Sequence, residues 1–211
     1  MKTTHQYIFK YPISAKSEKL ILGTIHPNNH KDFILPFYYG NVMSIWNILN
    51  SAFPCILGNP ITLEKIIDFL DKNKISISDT IIECERKNPT ALDEDLIPLE
   101  LNYDLIEQIK KSSINEILCT SGFGQNNAFK LFYVDILEEK ITTKIRQTRE
   151  VIIDKKHFGR PIKLSALYSP SGTSNTGLSK SKIYLSNKHL YNNSRTPVYD
   201  FKVNYYREKF S

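Results

Sequence analysis

The sequence has few cysteines and no long apolar run. Its 3 cysteines, Cys55, Cys84 and Cys119, form no Cys-x-x-Cys pair, so neither a disulfide framework nor a structural zinc site is expected. No segment approaches the ~18 consecutive apolar residues of a transmembrane helix. The start, MKTTHQYIFKYP, lacks the apolar core of a signal peptide. We therefore expect a cytoplasmic protein without membrane attachment.

Acidic residues are missing from residues 155–199. Residues 151–211 hold 11 Lys and Arg against 3 Asp and Glu, a surplus of 8 positive charges, whereas residues 1–150 hold 17 against 19. Such a basic segment attracts polyanions through screened Coulomb forces and counterion release. It is also rich in Ser, Asn, Thr and Tyr, which bond well to phosphate oxygens. A solvated surface without a partner is the alternative, and the composition favours nucleic acid.

The chain has enough apolar residues for a substantial core. With 211 residues and 41% hydrophobic side chains, residues 1–211 suit one domain. Short apolar strands alternate with helices, which is typical of an α/β fold with a mainly parallel sheet. Strands are predicted at residues 19–25, in part of 75–84, at 114–120 and at 162–168. Helices are predicted at residues 42–49, 62–72 with Thr62 as N-cap, 104–111, 125–137 and 198–210.

Three small, polar, turn-forming segments follow the predicted strands. They are residues 23–28 (GTIHPN), 120–124 (TSGFG) and 169–172 (SPSG). In parallel α/β sheets, ligands bind beyond the carboxyl ends of the strands. The three segments are therefore expected to converge on one binding site.

Five stretches in this order resemble the uracil-DNA glycosylase superfamily, and most closely its mismatch-specific and hypoxanthine-DNA glycosylase branches. They are LILGTIHP with FYYGNVMSIWNIL, DTIIECERKNPTALD at residues 79–93, ILCTSGFGQNNAFKLF, ALYSPSG at residues 166–172, and DFKVNYYREKF. The resemblance covers roughly residues 20–210. It implies a three-layer α/β/α fold with a central, mainly parallel four-stranded sheet. The implied activity is excision of uracil or hypoxanthine from DNA in base excision repair, by hydrolysis of the N-glycosidic bond after base flipping.

The first stretch would supply the base pocket. The resemblance places Tyr39 as the aromatic that stacks on the base, with core packing as the alternative. Backbone N–H groups of the first turn would bind the base oxygen. The expected substrate-binding residues are Gly23, Thr24, Ile25, Pro27, Asn28, Tyr39, Ser121 and Ser169.

The residue that activates water departs from the family pattern. The family places Asp or Asn directly before the Pro of the first turn, whereas His26 precedes Pro27 here. Asn28 is a further substitute, but Asn41 and His26 are favoured equally. Asn41 would orient a water, and a neutral His26 would accept its proton. Alternatively, His26 only caps a turn through a ring nitrogen.

The SPSG motif resembles the superfamily's second signature, where a tight loop grips phosphates around the extruded nucleotide. Residues following the loop would enter the groove, and two lysines would steady the strands. The expected DNA-binding residues are Ser169, Pro170, Ser171, Gly172, Thr173, Ser174, Asn175, Lys180 and Lys182.

The remaining expectations concern partners and alternatives. Cys119 is expected in the core, and Asp79 either reads a base amide or, as favoured, caps a helix. The protein is expected to bind damaged or mismatched DNA as a monomer, without a metal or a cofactor. Two rival functions stay open: an inactive or weak superfamily member that binds nucleic acid or a nucleotide without cleavage, and a small-molecule nucleoside hydrolase, which the basic segment disfavours.

Overall fold

The computed structural model describes residues 2–54, 56–88 and 90–211, so Cys55 lies outside the described residues. Its strands are β1 (Lys2–Thr4), β2 (Lys19–Gly23), β3 (Ile75–Asp79), β4 (Ile81–Arg86), β5 (Leu96–Leu101), β6 (Glu116–Cys119), β7 (Glu150–Ile153) and β8 (Ile162–Ala166). The main sheet has the order β3–β2–β6–β8–β7. Neighbouring strands from β3 to β8 are parallel, and β7 is antiparallel to β8. The mixed α/β class is confirmed, with five strands in this sheet rather than the four expected.

Helices cover both faces of this sheet. They are α1 (Ser44–Ala52), α2 (Leu63–Lys72), α3 (Asp104–Lys110), α4 (Ala128–Lys130), α5 (Thr143–Thr148), α6 (Lys155–Phe158), α7 (Asn175–Leu178), α8 (Lys182–Asn187) and α9 (Pro197–Phe210). Alternate residues of β2 point to opposite faces, as strand geometry requires. Ile21 packs with residues of α1, α2 and α9. Leu20 and Leu22 pack with residues of α3, α4 and α6 on the other face. The result is three layers.

A smaller antiparallel sheet, ordered β1–β4–β5, lies outside the main one. Lys2 pairs with Glu85 and Thr4 with Glu83, so the amino terminus runs along β4. Only Thr80 separates β3 from β4. Because β4 begins directly after β3, the pairing of β1 with β4 brings the amino-terminal residues before Tyr7 close to the carboxyl end of β3.

The predicted helices and strands mostly fall where expected. The Thr62 side chain caps α2 by accepting a hydrogen bond from the backbone N–H of Lys65. The helix predicted at residues 125–137 is present as α4 followed by a π-helical turn at Leu131–Ile136. Cys119 is fully buried, as expected for a core residue. None of the described helices is long and apolar enough to cross a membrane.

Candidate active site

A cleft with a volume of about 240 Å³ lies at the carboxyl ends of the parallel strands. The three predicted segments all contribute to it, because each follows a parallel strand of one sheet. The expected residues that line it are Thr24, Ile25, His26, Pro27, Tyr39, Asn41, Ser121, Ser169, Pro170, Ser171 and Thr173. Thr120, the first residue of the TSGFG segment, lines it as well, and so do five residues that were not expected there, namely Val42, Ser44, Ala91, Leu92 and Asp93. Asp79, left open between two roles, lines it as well.

Other expected site residues lie outside the cleft lining among the described residues. These are Gly23, Asn28, Gly172, Ser174, Asn175, Lys180 and Lys182. Gly23 is directly behind the cleft: a Cβ there would lie 2.3 Å from Asp79 Oδ1 and 2.5 Å from the Tyr39 hydroxyl. Both distances are far inside van der Waals contact. A residue without a side chain is therefore required for Asp79 and Tyr39 to approach each other.

Asp79 is the last residue of β3 and does not cap a helix, so that favoured expectation is wrong. Its Oδ2 lies 2.8 Å from His5 Nε2. The other ring nitrogen, Nδ1, accepts hydrogen bonds from the backbone N–H groups of Tyr7 and Ile8. Nδ1 therefore carries no hydrogen, and Nε2 donates to Asp79. This pairing fixes a carboxylate that is 6% exposed at the cleft wall.

Asp93 is a second carboxyl group in the same cleft. The Thr24 hydroxyl donates to Asp93 Oδ1 across 2.9 Å. Burial raises the pKa of Asp93 above its ordinary value of 3.8. The hydroxyls of Thr24 and Ser121 oppose that rise, the nearby charge of Asp79 adds to it, and Arg86 opposes it. The two aspartates thus have different surroundings: Asp79 is buried and bound to a ring N–H, whereas Asp93 is half-buried and accepts from a hydroxyl. In the sequence, Asp93 stands out only as the last residue of the DTIIECERKNPTALD stretch.

Tyr39 holds its ring in the cleft through both its backbone and its hydroxyl. The backbone is left-handed, with φ of 56°, which is uncommon for a bulky residue. The hydroxyl lies 2.6 Å from the Thr120 hydroxyl, which in turn donates to the carbonyl of Leu22. Burial raises the pKa of the Tyr39 hydroxyl well above its usual value, so it stays protonated. The ring is therefore a fixed, neutral wall of the cleft.

His26 lines the cleft, but hydrogen bonds engage both of its ring nitrogens. Nδ1 lies 2.7 Å from the carbonyl oxygen of Pro27, which only accepts, so Nδ1 donates. Nε2 accepts the backbone N–H of Gln6 across 3.0 Å. This geometry matches the turn-capping alternative and leaves no lone pair for a water proton. The expectation that His26 accepts a proton is therefore not supported.

Asn41 differs from His26 in this respect. It is half-buried and lines the cleft, and its side chain makes no hydrogen bond to the described residues. An amide with both a donor and an acceptor free can hold a water molecule. Of the two candidates favoured equally from sequence, the geometry favours Asn41.

The segment Ser169–Thr173 forms the opposite rim and rests on a buried lysine. Lys202, on α9, is 1% exposed, and its Nζ donates to the Ser171 carbonyl and to Ser174 Oγ, each across 3.0 Å. Burial lowers the pKa of Lys202 from 10.5 to about 8. The ammonium forms no ion pair with the described residues. A buried positive charge therefore lies directly beneath the loop expected to hold phosphates.

Arg149 fixes the chain just before that loop. Its guanidinium donates to the carbonyls of Ala166 and Leu167, each across 2.8 Å, and lies 4.5 Å from the centre of the Tyr168 ring. Its backbone is left-handed, with φ of 60°. Arg149 therefore sets the path of the chain from β8 into the rim. Nothing in the local sequence pattern pointed to this role.

Exposed positive charge is concentrated after the rim. Within the basic segment, Lys156 pairs with Glu139, and Lys163 pairs with Glu116 and Glu150. Lys155, Lys180, Lys182, Lys188 and Arg195 are exposed and form no ion pair with the described residues, and Arg160 donates to backbone carbonyls instead.

Comparison with protein-family models and with curated proteins gives no match. Among solved structures, the chain is similar to a solution NMR structure of a protein from Methanosarcina acetivorans that is provisionally named a uracil DNA glycosylase. The two are 19% identical, the match covers 97% of this chain and 98% of that chain, and the TM-score is 0.49. A likeness of this size carries no weight for the chemistry, which depends on the residues themselves. Among the described residues, no group of three or more His, Cys, Asp or Glu is placed to hold a metal ion.

Proposed function

We propose that this protein is a member of the uracil-DNA glycosylase superfamily that removes a deaminated base, uracil or hypoxanthine, from DNA. The observation that carries the proposal is the cleft itself. Tyr39, Asn41 and the Ser169–Ser171 rim line one cavity, next to a segment with unpaired exposed cations. Pockets for drug-sized ligands measure roughly 300–1,000 Å³. A cavity of about 240 Å³ therefore suits a smaller group such as one extruded base.

The base would lie against the ring of Tyr39. Aromatic rings stack favourably on nucleobases, which is worth about 1–3 kcal/mol per base. Backbone N–H groups of Thr24 and Ile25 would donate to a base oxygen, with Pro27 and Ser121 as further walls. Gly23 contributes by leaving room for Tyr39. Asn28 would contact the base from the turn that follows β2.

The rim would bind the DNA backbone. Ser169, Ser171 and Thr173 carry hydroxyls at the cleft edge, and the positive charge of Lys202 lies beneath them. Phosphate contacts of this kind position a protein without reading sequence. The following residues, Ser174 and Asn175, would enter the groove, and the exposed Lys180 and Lys182 would neutralise phosphates further along.

Asn41 would orient the attacking water. As the bond between C1′ and the base nitrogen breaks, the base leaves with the bonding electrons and the sugar gains oxocarbenium character. The water then adds to C1′, and its proton passes to solvent. A dissociative path of this kind needs a positioned water more than a strong base. We propose this activity for a single-domain monomer of the cytoplasm, acting in base excision repair without a metal or cofactor.

The test is cleavage of labelled oligonucleotides that carry one uracil, hypoxanthine, xanthine or mismatched thymine, in single and double strands. Heat and alkali convert each abasic site into a strand break. Wild type is compared with Asn41→Ala, with His26→Ala, and with Asn47→Ala as a matched control, since Asn47 is an exposed asparagine on α1 outside the cleft. We expect breaks with one of these lesions, a loss of about 10²–10⁴-fold in rate for Asn41→Ala, and wild-type rates for the control.

His26→Ala is expected to lower stability more than rate, because His26 links Gln6 to Pro27. No breaks with any lesion would overturn the proposal. If salt-dependent DNA binding remained, that result would favour the second candidate, a member that binds nucleic acid without cleavage. The observation that favours it is the engagement of both ring nitrogens of His26, where the superfamily has Asp or Asn.

A further inference from the structure

Arginine side chains and aromatic rings alternate in a group beside the cleft. The Arg146 guanidinium lies 5.6 Å from the centre of the Phe123 ring, and the Arg149 guanidinium lies 5.3 Å from the same centre. Arg149 also lies 4.5 Å from the centre of the Tyr168 ring. Contacts of this kind hold a guanidinium against a ring face through the ring quadrupole. We call Phe123, Arg146, Arg149 and Tyr168 the arginine–aromatic array.

The array adjoins the cleft along the chain. Phe123 follows the cleft residue Ser121 by two positions, and Tyr168 directly precedes the cleft residue Ser169. Both rings therefore come just after the carboxyl ends of β6 and β8, which are neighbouring parallel strands. The two arginines come from α5 and from the position just before β7. The array thus lies at the side of the cleft nearest β7.

The two arginines of the array have no acidic partner among the described residues. Arg146 is exposed, and its guanidinium makes no hydrogen bond to those residues. Arg149 is half-buried, and its Nε and Nη2 donate to backbone carbonyls, whereas its Nη1 has no hydrogen-bond partner in the described part of the chain. Guanidinium N–H groups match the geometry of phosphate oxygens. Two such cations against one ring therefore favour a phosphodiester as ligand.

We infer that the arginine–aromatic array binds the phosphodiester backbone of the DNA strand next to the extruded nucleotide. Arg146 makes the main contact because it is the exposed member. Phe123 holds the Arg146 guanidinium in place, and Arg149 adds a second positive charge. The strand then contacts the protein at two places, at Ser169–Thr173 and at the array. This inference rests on the proposed function and adds a contact surface for its DNA substrate.

The distribution of charge along the sequence does not indicate this surface. Residues 1–150 hold 17 basic and 19 acidic residues, so a local excess of positive charge before residue 150 disappears in the count. The stretch TKIRQTR at residues 143–149 nevertheless has three basic residues and no acidic one. Only the fold brings this stretch to Phe123 and to the end of β6.

The test measures dissociation constants by fluorescence anisotropy at several salt concentrations. The probes are labelled oligonucleotides with one tetrahydrofuran abasic analogue, which has no base to excise, in single and double strands. They are extended stepwise on the 5′ or the 3′ side of the analogue. Wild type is compared with Arg146→Met, Arg146→Lys and Phe123→Leu. Lys144→Met is the matched control, since Lys144 is exposed on the same helix but lines a different groove.

We expect wild type and the control to gain affinity as the strand is extended on one side of the analogue. Arg146→Met should lose about 10-fold in affinity for the extended probes, and its salt dependence should become shallower by about one phosphate contact. Arg146→Lys should keep the salt dependence and lose about 2- to 5-fold, because an ammonium neither stacks nor binds phosphate with two N–H groups. Phe123→Leu should lose a similar factor although both arginines remain.

The outcomes separate this inference from the proposed function. If wild type excises no lesion, but Arg146→Met and Phe123→Leu still lose affinity for the extended probes, the excision proposal fails and the DNA contact at the array holds. If these two variants bind every probe with the affinity and salt dependence of wild type, the inference is overturned, whether or not wild type excises.

Two further results would also overturn the inference. An equal loss for Lys144→Met would show that binding responds to any positive charge on α5. Full affinity of both Arg146→Lys and Phe123→Leu would show that the ring has no part in binding and that Arg146 is an ordinary surface charge. Absence of binding by wild type to all probes would overturn this inference together with the proposed function.

Discussion

Replacing the buried Lys202 by methionine should stabilise the fold while weakening DNA binding. Lys202 is 1% exposed, and its ammonium forms no ion pair with the described residues. Its hydrogen-bond partners do not depend on it, because the Ser171 carbonyl also accepts from the Ser174 hydroxyl. Methionine has a similar length and fills the space without a charge.

The size of the effect follows from the pKa of Lys202. Burial lowers it from 10.5 to about 8, so keeping this group charged in the fold costs about 3 kcal/mol below pH 8. Lys202→Met should recover about 1–3 kcal/mol at pH 7, which raises Tm by about 2–12 °C for a chain of this length. The gain should shrink as the pH rises from about 8 and vanish above about 10.5, because there the lysine is neutral in both the folded and unfolded states.

The assay is urea unfolding followed by circular dichroism at pH 7 and at pH 10, together with DNA binding at several salt concentrations. Lys180→Met is the matched control, because Lys180 is exposed and its removal should leave stability unchanged. Lower or unchanged stability of Lys202→Met at pH 7 would refute the reasoning, as would an equal gain at pH 10. A gain accompanied by weaker DNA binding would show that the chain keeps a destabilising charge for binding.

Two further predictions follow from the cleft and its rim. Gly23→Ala places a Cβ 2.5 Å from the Tyr39 hydroxyl and 2.3 Å from Asp79 Oδ1. It should therefore abolish excision in the oligonucleotide assay and lower the free energy of unfolding by about 1–3 kcal/mol in urea. Wild-type activity of this variant would contradict the close approach of Asp79 and Tyr39. The double variant Lys180→Ala with Lys182→Ala should unfold like wild type and bind DNA more weakly, with a salt dependence shallower by about two phosphate contacts. An unchanged salt dependence would mean that these lysines only face solvent.

Local patterns in the sequence were sufficient to predict most of the helices and strands. The apolar stretch that forms β2 and the stripe of α2 each carry their own periodicity, so strand and helix could be assigned without knowing their partners. The order of strands and helices then favoured a parallel sheet, and parallel strands bring their carboxyl ends to one edge. The meeting of the three polar segments at one cleft was predictable for that reason, whereas Tyr39 and Asn41 were expected there only through the resemblance to the superfamily.

The tertiary structure decided what each polar side chain in the cleft can do. No sequence pattern connects His5 with Asp79, 74 positions later, because the antiparallel pairing of β1 with β4 brings them together. No sequence pattern places Lys202 under the rim either, and its pKa is lowered by the burial that this position causes. The role of His26 depends on the hydrogen-bond partners of its two ring nitrogens, which only the fold supplies. Strand β7 likewise joins the sheet only through its pairing with β8. Hydrogen bonding and hydration depend on contacts between distant segments, so the protonation states at this site follow from the folded chain alone.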